Sequence, residues 1–353
     1  MPVELSADEI AARLAFLGSA SALDTPLPSF RYIKPFSSTY ESVVEAIGGN
    51  DDRFRLGLAA VDLLTRGFGP KELIYFTGFS ASGKTQLVLT AVLHNSDKRV
   101  LFFSMDDPAE MVLMKLACMA EGVSAEVMER KVREHDEQAK LALKTASERF
   151  PNLVVVDESL SMGEISTAVE EATLSWGAPP ELVVIDYLEL IRGTDYHDAV
   201  NNVKAQSREL KKWVKDKPFP TLVLHQGTRS NARPGAPITI LSMAHGGEQE
   251  ATILVGVRRK RDWEELDEWE RSKHRDTITL HVVKNKRPPS KVTPIGGVDL
   301  YMSPDTGLVR PLRDGDLMHE PKSKPDVQEV LTTADDAVRV AREKVAVLSG
   351  AAA

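Results

Sequence analysis

The chain has one cysteine in 353 residues, Cys118, set in an apolar helical stretch. One thiol can build neither a disulfide framework nor a zinc ribbon, so a reducing compartment is expected and Cys118 reads as a core residue. No apolar run is long enough to span a bilayer. The opening residues, MPVELSADEI, lack the basic and apolar regions of a signal peptide. Positive charge is not in excess either. The net charge of −8 argues against a uniformly basic nucleic-acid coat, although a local basic channel remains compatible with it. Together these absences predict a cytoplasmic protein without membrane contact. What is present is an ordinary globular composition, 42% hydrophobic and 27% charged, at a length that suits one large α/β domain with appendages.

The most informative segment is GFSASGKT. Gly78, Phe79, Ser80, Ala81, Ser82, Gly83, Lys84 and Thr85 match G-x-x-x-x-G-K-[ST] in full. The apolar run LIYFT, from Leu73, precedes it, and a helical pattern from Gln86 to His94 follows. That strand–loop–helix setting separates the motif from a chance glycine-rich turn. Glycines let main-chain N–H groups turn toward a polyphosphate, and the helix N-terminus adds a favourable dipole. Lys84 is expected to reach the β- and γ-phosphates, and the Thr85 hydroxyl to ligate Mg²⁺.

Around this loop the pattern is α/β. Apolar, β-rich runs begin at Leu73, Val100, Leu153, Leu182, Thr221, Thr252 and Thr277. Helical patterns at 86–94, 109–120, 137–149, 163–176 and 200–215 separate most of the early ones. Continuous apolar strands alternating with helices predict a mostly parallel sheet covered on both faces. Few helices separate the last strands, which leaves that edge free to turn antiparallel. Residues 1–50 read as a helical arm, with capping boxes at Ser6/Glu9 and Ser38/Glu41. Residues 51–315 form the main domain, and 316–353 a polar tail ending in a weakly amphipathic helix, Ala334 to Leu348. No internal repeat is present.

Several strand ends carry candidate chemistry. LVVID closes on Asp186, the expected second Mg²⁺ anchor, whereas Asp157, closing LVVVD, reads as a strand-end or turn residue. VLFFS leads to Asp106 and Asp107 before Pro108. Either could polarise a water attacking the γ-phosphate, and Asp before Pro is also a plain helix start. TLVLH closes on His225 and Gln226, which either sense the γ-phosphate or form a solvated strand end. The segment 227–247 is long, rich in Gly and Pro, and carries Arg229, Arg233 and His245 ahead of Gly246 and Gly247. It reads as a DNA-binding loop or as a solvated one. Lys284, Lys286 and Arg287 place cations at the end of TITLHVVK, suited to an anion. The cluster Arg258–Arg261 reads as solvated surface.

In this order the motifs resemble the RecA-like motor domain of DnaB-type replicative helicases, a type also carried by phages. The resemblance runs from about Arg55 to about Arg310. LVVIDYLELI is close to the family's Ile-Asp-Tyr-Leu-Gln-Leu, FFSMDDP to its strand ending Ser-Leu-Glu-Met-Pro, LHQGTRS to Ser-Gln-Leu-Asn-Arg, and VVKNKRPPS to Ala-Lys-Gln-Arg-Asn-Gly. The resemblance implies a RecA-like P-loop NTPase fold, ATP with Mg²⁺, single-stranded DNA as track and a homo-oligomer, expected to be a hexamer. A primase or a helicase loader would be a further partner. It puts Asp106 at the catalytic glutamate, Gln226 at the sensor glutamine, Lys284 at the lysine reaching a neighbour's nucleotide, and Lys286 at the arginine finger. Arg287 falls one position late. An Asp is shorter than a Glu by one C–C bond, about 1.5 Å, and a lysine lacks the guanidinium fork. About fifty residues stand where bacterial members carry a helical collar domain, so a shortened phage-type motor, or one whose collar is a separate chain, is expected. A RecA/RadA-like recombination ATPase and a KaiC-like scaffold are the alternatives. The zinc module of RadA-type proteins does not fit a single cysteine.

Overall fold

Successive side chains of a strand point to opposite faces of its sheet, and here both sets are buried. In the computed structural model, Ile74, Phe76, Phe102, Val184, Leu222 and Leu224 join one hydrophobic cluster. Their neighbours Leu73, Tyr75, Leu101, Phe103, Val183 and Val223 join another. That two-sided burial is why the strands read as unbroken apolar runs rather than as alternating ones.

The structure describes residues 53–193, 199–226, 238, 249–294 and 296–317, together with the isolated helical positions Asp8, Tyr40 and Val44. The chain divides into two units, Met1–Asp52 and Arg53–Ala353, and the elements named below belong to the second. The capping boxes of the arm, the tail helix, and Arg229, Arg233, His245, Gly246 and Gly247 lie outside the described residues. In chain order the elements are α1 (Ala59–Thr65), β1 (Leu73–Gly78), α2 (Lys84–His94), β2 (Val100–Ser104), α3 (Ala109–Glu121), α4 (Ala125–Arg133) and α5 (Glu137–Arg149). Then come β3 (Leu153–Val156), α6 (Met162–Trp176), β4 (Leu182–Asp186), α7 (Ala199–Val214) and β5 (Thr221–Gln226). The last are β6 (Ile253–Arg259), α8 (Glu268–Lys273), β7 (Thr277–Asn285), β8 (Val298–Met302) and β9 (Val309–Pro311).

The strands form one sheet in the order β3-β2-β4-β5-β1-β6-β7-β8-β9. Pairings from β3 across to β6 are parallel. From β6 outward the sheet is antiparallel, as the loss of intervening helices suggested. Val61 of α1, Leu87 and Val88 of α2 and Leu116 of α3 cover one face, while Ile165 and Val169 of α6 and Val203 and Leu210 of α7 cover the other. The short strands β8 and β9 carry no clear sequence pattern. Nor does α4, whose mostly charged face hides the one buried residue, Met128, that packs with Cys118 and Ala139. The capping box of Ser161 and Glu164 starts α6: the Ser161 hydroxyl accepts the Glu164 N–H, and Glu164 accepts the Ser161 N–H at 2.8 Å.

A buried ion pair ties the exit of α1 to the far end of β7. Arg287 Nε lies 3.0 Å from Glu72 Oε1, and the other Glu72 oxygen accepts the Gly69 N–H at 2.8 Å. Arg287 Nη2 donates to the carbonyls of Gly67, at 2.6 Å, and Thr65. Burial pushes the Glu72 carboxyl above its usual pKa and the Arg287 guanidinium below its own, and each charge offsets part of the other's cost. Removing one partner strands the other, which typically costs about 3–5 kcal/mol. Arg287→Ala is therefore expected to lower the unfolding free energy in urea by about that amount. A loss below ~0.5 kcal/mol, the scale of an ordinary surface substitution, would mean the pair contributes nothing.

Candidate nucleotide site

Parallel strands bring their C-terminal ends to one edge, and the register at that edge sets the site. Gly78 stands opposite Gln226, and Ser104 opposite Asp186. The glycine motif leaves β1 at Gly78 and enters α2 at Lys84. A Cβ on Gly78 would lie 2.3 Å from the Val257 carbonyl oxygen and 2.7 Å from Ser82 Oγ, so the loop can pass there only with glycine. Ala81 and Gly83 adopt positive φ, 58° and 97°, the turn of the backbone that directs N–H groups inward. A Cβ on Gly83 would also meet Met302 Sδ at 2.9 Å, so the end of β8 lies close beside the loop. The first turn of α2 then presents unsatisfied N–H donors and the positive end of its dipole.

Thr85 Oγ1 donates to Asp186 Oδ2 at 2.8 Å. This joins the two expected Mg²⁺ residues across the width of β5, which lies between β1 and β4. A hydroxyl and a carboxylate beside phosphate oxygens are hard oxygen donors of the kind Mg²⁺ takes. Ser82 Oγ is buried and has no hydrogen-bond partner among the described residues, a polar atom left open within the loop itself. Lys84 Nζ donates to the carbonyls of Gly78 and Phe79, both at 2.9 Å. The donor set thus fits a triphosphate with Mg²⁺: main-chain N–H groups, one ammonium, one hydroxyl and one carboxylate.

Burial shapes the charges. It lowers the Lys84 pKa to about 8, against the stabilising pull of Asp186 and Glu189. It raises the Asp186 pKa to about 6; Thr85 and Lys84 work the other way, and Asp107 and Asp106 add to the rise. Asp106 is exposed on the turn between β2 and α3. Asp107 is engaged otherwise: its carboxylate pairs with Lys115, and its carbonyl accepts from Ser104 Oγ at 2.6 Å. Asp157 accepts the Ala109 N–H at 2.9 Å and so caps the first turn of α3. Gln226 ends β5 with an exposed side chain.

One residue escaped the sequence reading. Glu189 lies on the 3₁₀ turn Leu188–Leu190 just after β4, and its Oε1 accepts the Gln226 N–H at 3.0 Å. Burial raises its pKa to about 7. The only signal is a lone acid inside the apolar run YLELI, three residues after Asp186.

Lys284 near the end of β7 and Lys286 just beyond it sit at the opposite edge of the sheet from the phosphate loop. Lys284 Nζ and Lys286 Nζ both donate to the Gln249 carbonyl, at 3.2 and 3.0 Å. The Lys286 N–H donates to the Thr252 carbonyl, at the beginning of β6, whereas the phosphate loop abuts Val257. At ~3.4 Å per residue that separation is about 17 Å along the strand, more than a lysine side chain spans. Arg287, one position on, is held within its own chain by Glu72, Thr65 and Gly67.

Such an edge, with a glycine loop after β1 and its acidic partner at the end of β4, one strand (β5) lying between them, defines a RecA-like nucleotide-binding α/β protein. The family model of the DnaB-like helicase C-terminal domain matches residues 54–302, and the chain belongs to that family. It is 26% identical over 222 residues to the replicative DNA helicase DnaB of Pasteurella multocida, covering 60% of this chain and 47% of that protein. It is 23% identical over 254 residues to the replicative DNA helicase DnaC of Bacillus subtilis, covering 69% and 54%. The chain therefore spans about half the length of the curated relatives it matches. In fold it is similar to a DnaB-like replicative helicase studied with primase, at a TM-score of 0.64 and 19% identity, covering 80% of this chain and 68% of that one. It is similar to a second solved structure, that of an ATPase domain, at the same TM-score, 0.64, and 20% identity, covering 78% and 97%. These matches do not favour the recombination or scaffold readings.

The two perturbed groups predict a pH window for nucleotide capture. Asp186 must be ionised and Lys84 protonated to hold Mg²⁺ and phosphate. The affinity for Mg²⁺ with a non-hydrolysable ATP analogue is expected to be greatest between pH about 6 and about 8. It should fall on the acid side as Asp186 takes a proton and on the alkaline side as Lys84 loses one. Calorimetric titration from pH 5 to 9 measures this. A flat profile would contradict the burial of both groups.

Proposed function

We propose that the chain is the motor of a ring-forming helicase that hydrolyses ATP with Mg²⁺ and moves on single-stranded DNA during replication. The observation that carries the reading is the Thr85–Asp186 pair beside the Gly78–Thr85 loop, in a chain of the DnaB-like family. Primase or a loader is the further partner, and the cytoplasm the setting. Among the described residues no helix is long and apolar enough to cross a membrane.

In this mechanism the loop N–H groups and Lys84 hold the β- and γ-phosphates. Thr85 and Asp186 would hold Mg²⁺, which neutralises charge building on the phosphate oxygens. Asp106, at the tip of the β2 edge, orients the attacking water. Being a short carboxylate, it needs a closer approach or a second water to do so. Asp107 is committed to Lys115, so Asp106 is the better candidate. Gln226 contacts the γ-phosphate from the β5 side. Lys284 and Lys286, too far from their own loop, serve the nucleotide of the adjacent subunit and stabilise the transferring phosphoryl group. That assigns the trans cation to lysine and gives Arg287 a folding role. Arg229, Arg233 and His245, with Gly246 and Gly247, remain the DNA-contact candidates.

Strand displacement on forked duplexes with 5′ or 3′ single-stranded tails tests the main reading. The expected result is ATP-dependent unwinding from one tail polarity. DNA-stimulated hydrolysis without unwinding would favour a recombination-type ATPase instead. The shared site has its own test, by mixing subunits. Lys84→Ala chains supply cations without a working pocket, and Lys284→Ala/Lys286→Ala chains supply pockets without cations. Each alone is expected to be inactive, and mixed rings to recover part of the turnover, because a cation in trans contributes up to ~10³-fold or more in rate. No recovery in rings shown by native mass spectrometry to contain both chains would contradict a shared site.

A further inference from the structure

The ladder between β4 and β5 stops early. Val183, Val184 and Ile185 pair with Thr221, Leu222 and Val223, whereas on its other side β5 stays paired with β1 out to Gly78 and Gln226. After Asp186 the chain leaves the sheet and turns through Leu188–Leu190. The last residues of β5 thus have a neighbouring strand on one flank only. Glu189 occupies the other flank. Its Oε1 accepts the Gln226 N–H at 3.0 Å, and His225 Nδ1 lies 3.6 Å from the same oxygen. A side-chain oxygen takes the main-chain donor that the departing strand no longer meets.

The same carboxyl faces the phosphate-binding groups. Lys84 and Asp186 both act on it electrostatically, and Lys84 in turn feels both carboxylates. Its other oxygen, Oε2, is buried and makes no hydrogen bond among the described residues. One side chain therefore ties the turn after the strand bearing Asp186 to the end of the strand bearing Gln226, within electrostatic reach of Lys84.

We propose that Glu189 is a positioning residue that fixes the main chain of Gln226 relative to Lys84 and Asp186, and so lets the site distinguish a nucleoside triphosphate from a diphosphate. This rests on the nucleotide-hydrolysis reading given above. What the role requires is an acceptor of suitable length at this point. Glutamine meets that requirement, because it keeps the acceptor oxygen and drops only the charge.

The test uses the full chain with Glu189→Ala, Glu189→Met and Glu189→Gln, each checked by thermal melting. Steady-state ATP hydrolysis gives kcat and KM, and competition binding compares ADP with a non-hydrolysable ATP analogue. Alanine and methionine remove the acceptor, methionine while keeping the bulk. Both are expected to lower kcat by about 10- to 100-fold, the cost of misplacing a group by an ångström or so, with KM rising only as far as triphosphate affinity falls. Both should also erode the preference for triphosphate. Glutamine is expected to restore most of the lost kcat and preference. Wild-type kcat and preference in the methionine variant would overturn the proposal. So would a glutamine variant as impaired as the methionine one, because the charge and not the acceptor would then matter. Failure of the nucleotide reading itself looks different: it would appear as undiminished hydrolysis in Lys84→Ala.

Discussion

Everything at the nucleotide edge depends on one constraint: parallel strands end on the same side. Register then decides which residues become neighbours. Gly78 stands beside Gln226 and Ser104 beside Asp186 because the central strands pair without a slip across β2-β4 and β5-β1. The pairing is fixed in turn by burial on both faces. A slip of one residue would exchange the two hydrophobic clusters and send, for example, Phe102 to the side packed by Phe103. The geometry of the site is thus a consequence of core packing rather than an addition to it.

The same topology separates functions. Where β6 is joined by antiparallel β7, the chain runs back across the sheet and delivers Lys284 and Lys286 to the end remote from the phosphate loop. A chain built this way carries the phosphate loop at one edge of its sheet and two lysines at the other. Arg287 has the better side chain for a phosphate, but its place beside Glu72 commits it to the fold.

Much of this was legible in the residues. The glycine loop, the acid closing LVVID and the apolar runs are local signals, and each reflects a local physical demand: positive φ, a strand end, two-sided burial. What stayed hidden depended on tertiary neighbours. The role of Arg287 could not be read because its partner, Glu72, is remote in sequence. Glu189 looked like one polar residue in an apolar turn, and only the early end of the β4–β5 ladder gives it a partner. Strands β8 and β9 are too short to carry a periodic signal, yet Met302 at the end of β8 lies beside Gly83 of the loop. The separation of Asp106 from Asp107 likewise required Lys115, two turns into the following helix.

The central claim is that Thr85 and Asp186 form the metal-bearing heart of the site, with Lys84 as its phosphate ligand. A crystal structure of the chain with Mg²⁺ and a non-hydrolysable ATP analogue tests it most directly. The expected result is Mg²⁺ at about 2.1 Å from Thr85 Oγ1, the coordination distance of that ion. Asp186 should sit against the metal or its water, and Lys84 Nζ should move from the Gly78 and Phe79 carbonyls onto the phosphates. A nucleotide bound elsewhere, or a metal that touches neither Thr85 nor the shell of Asp186, would contradict the account.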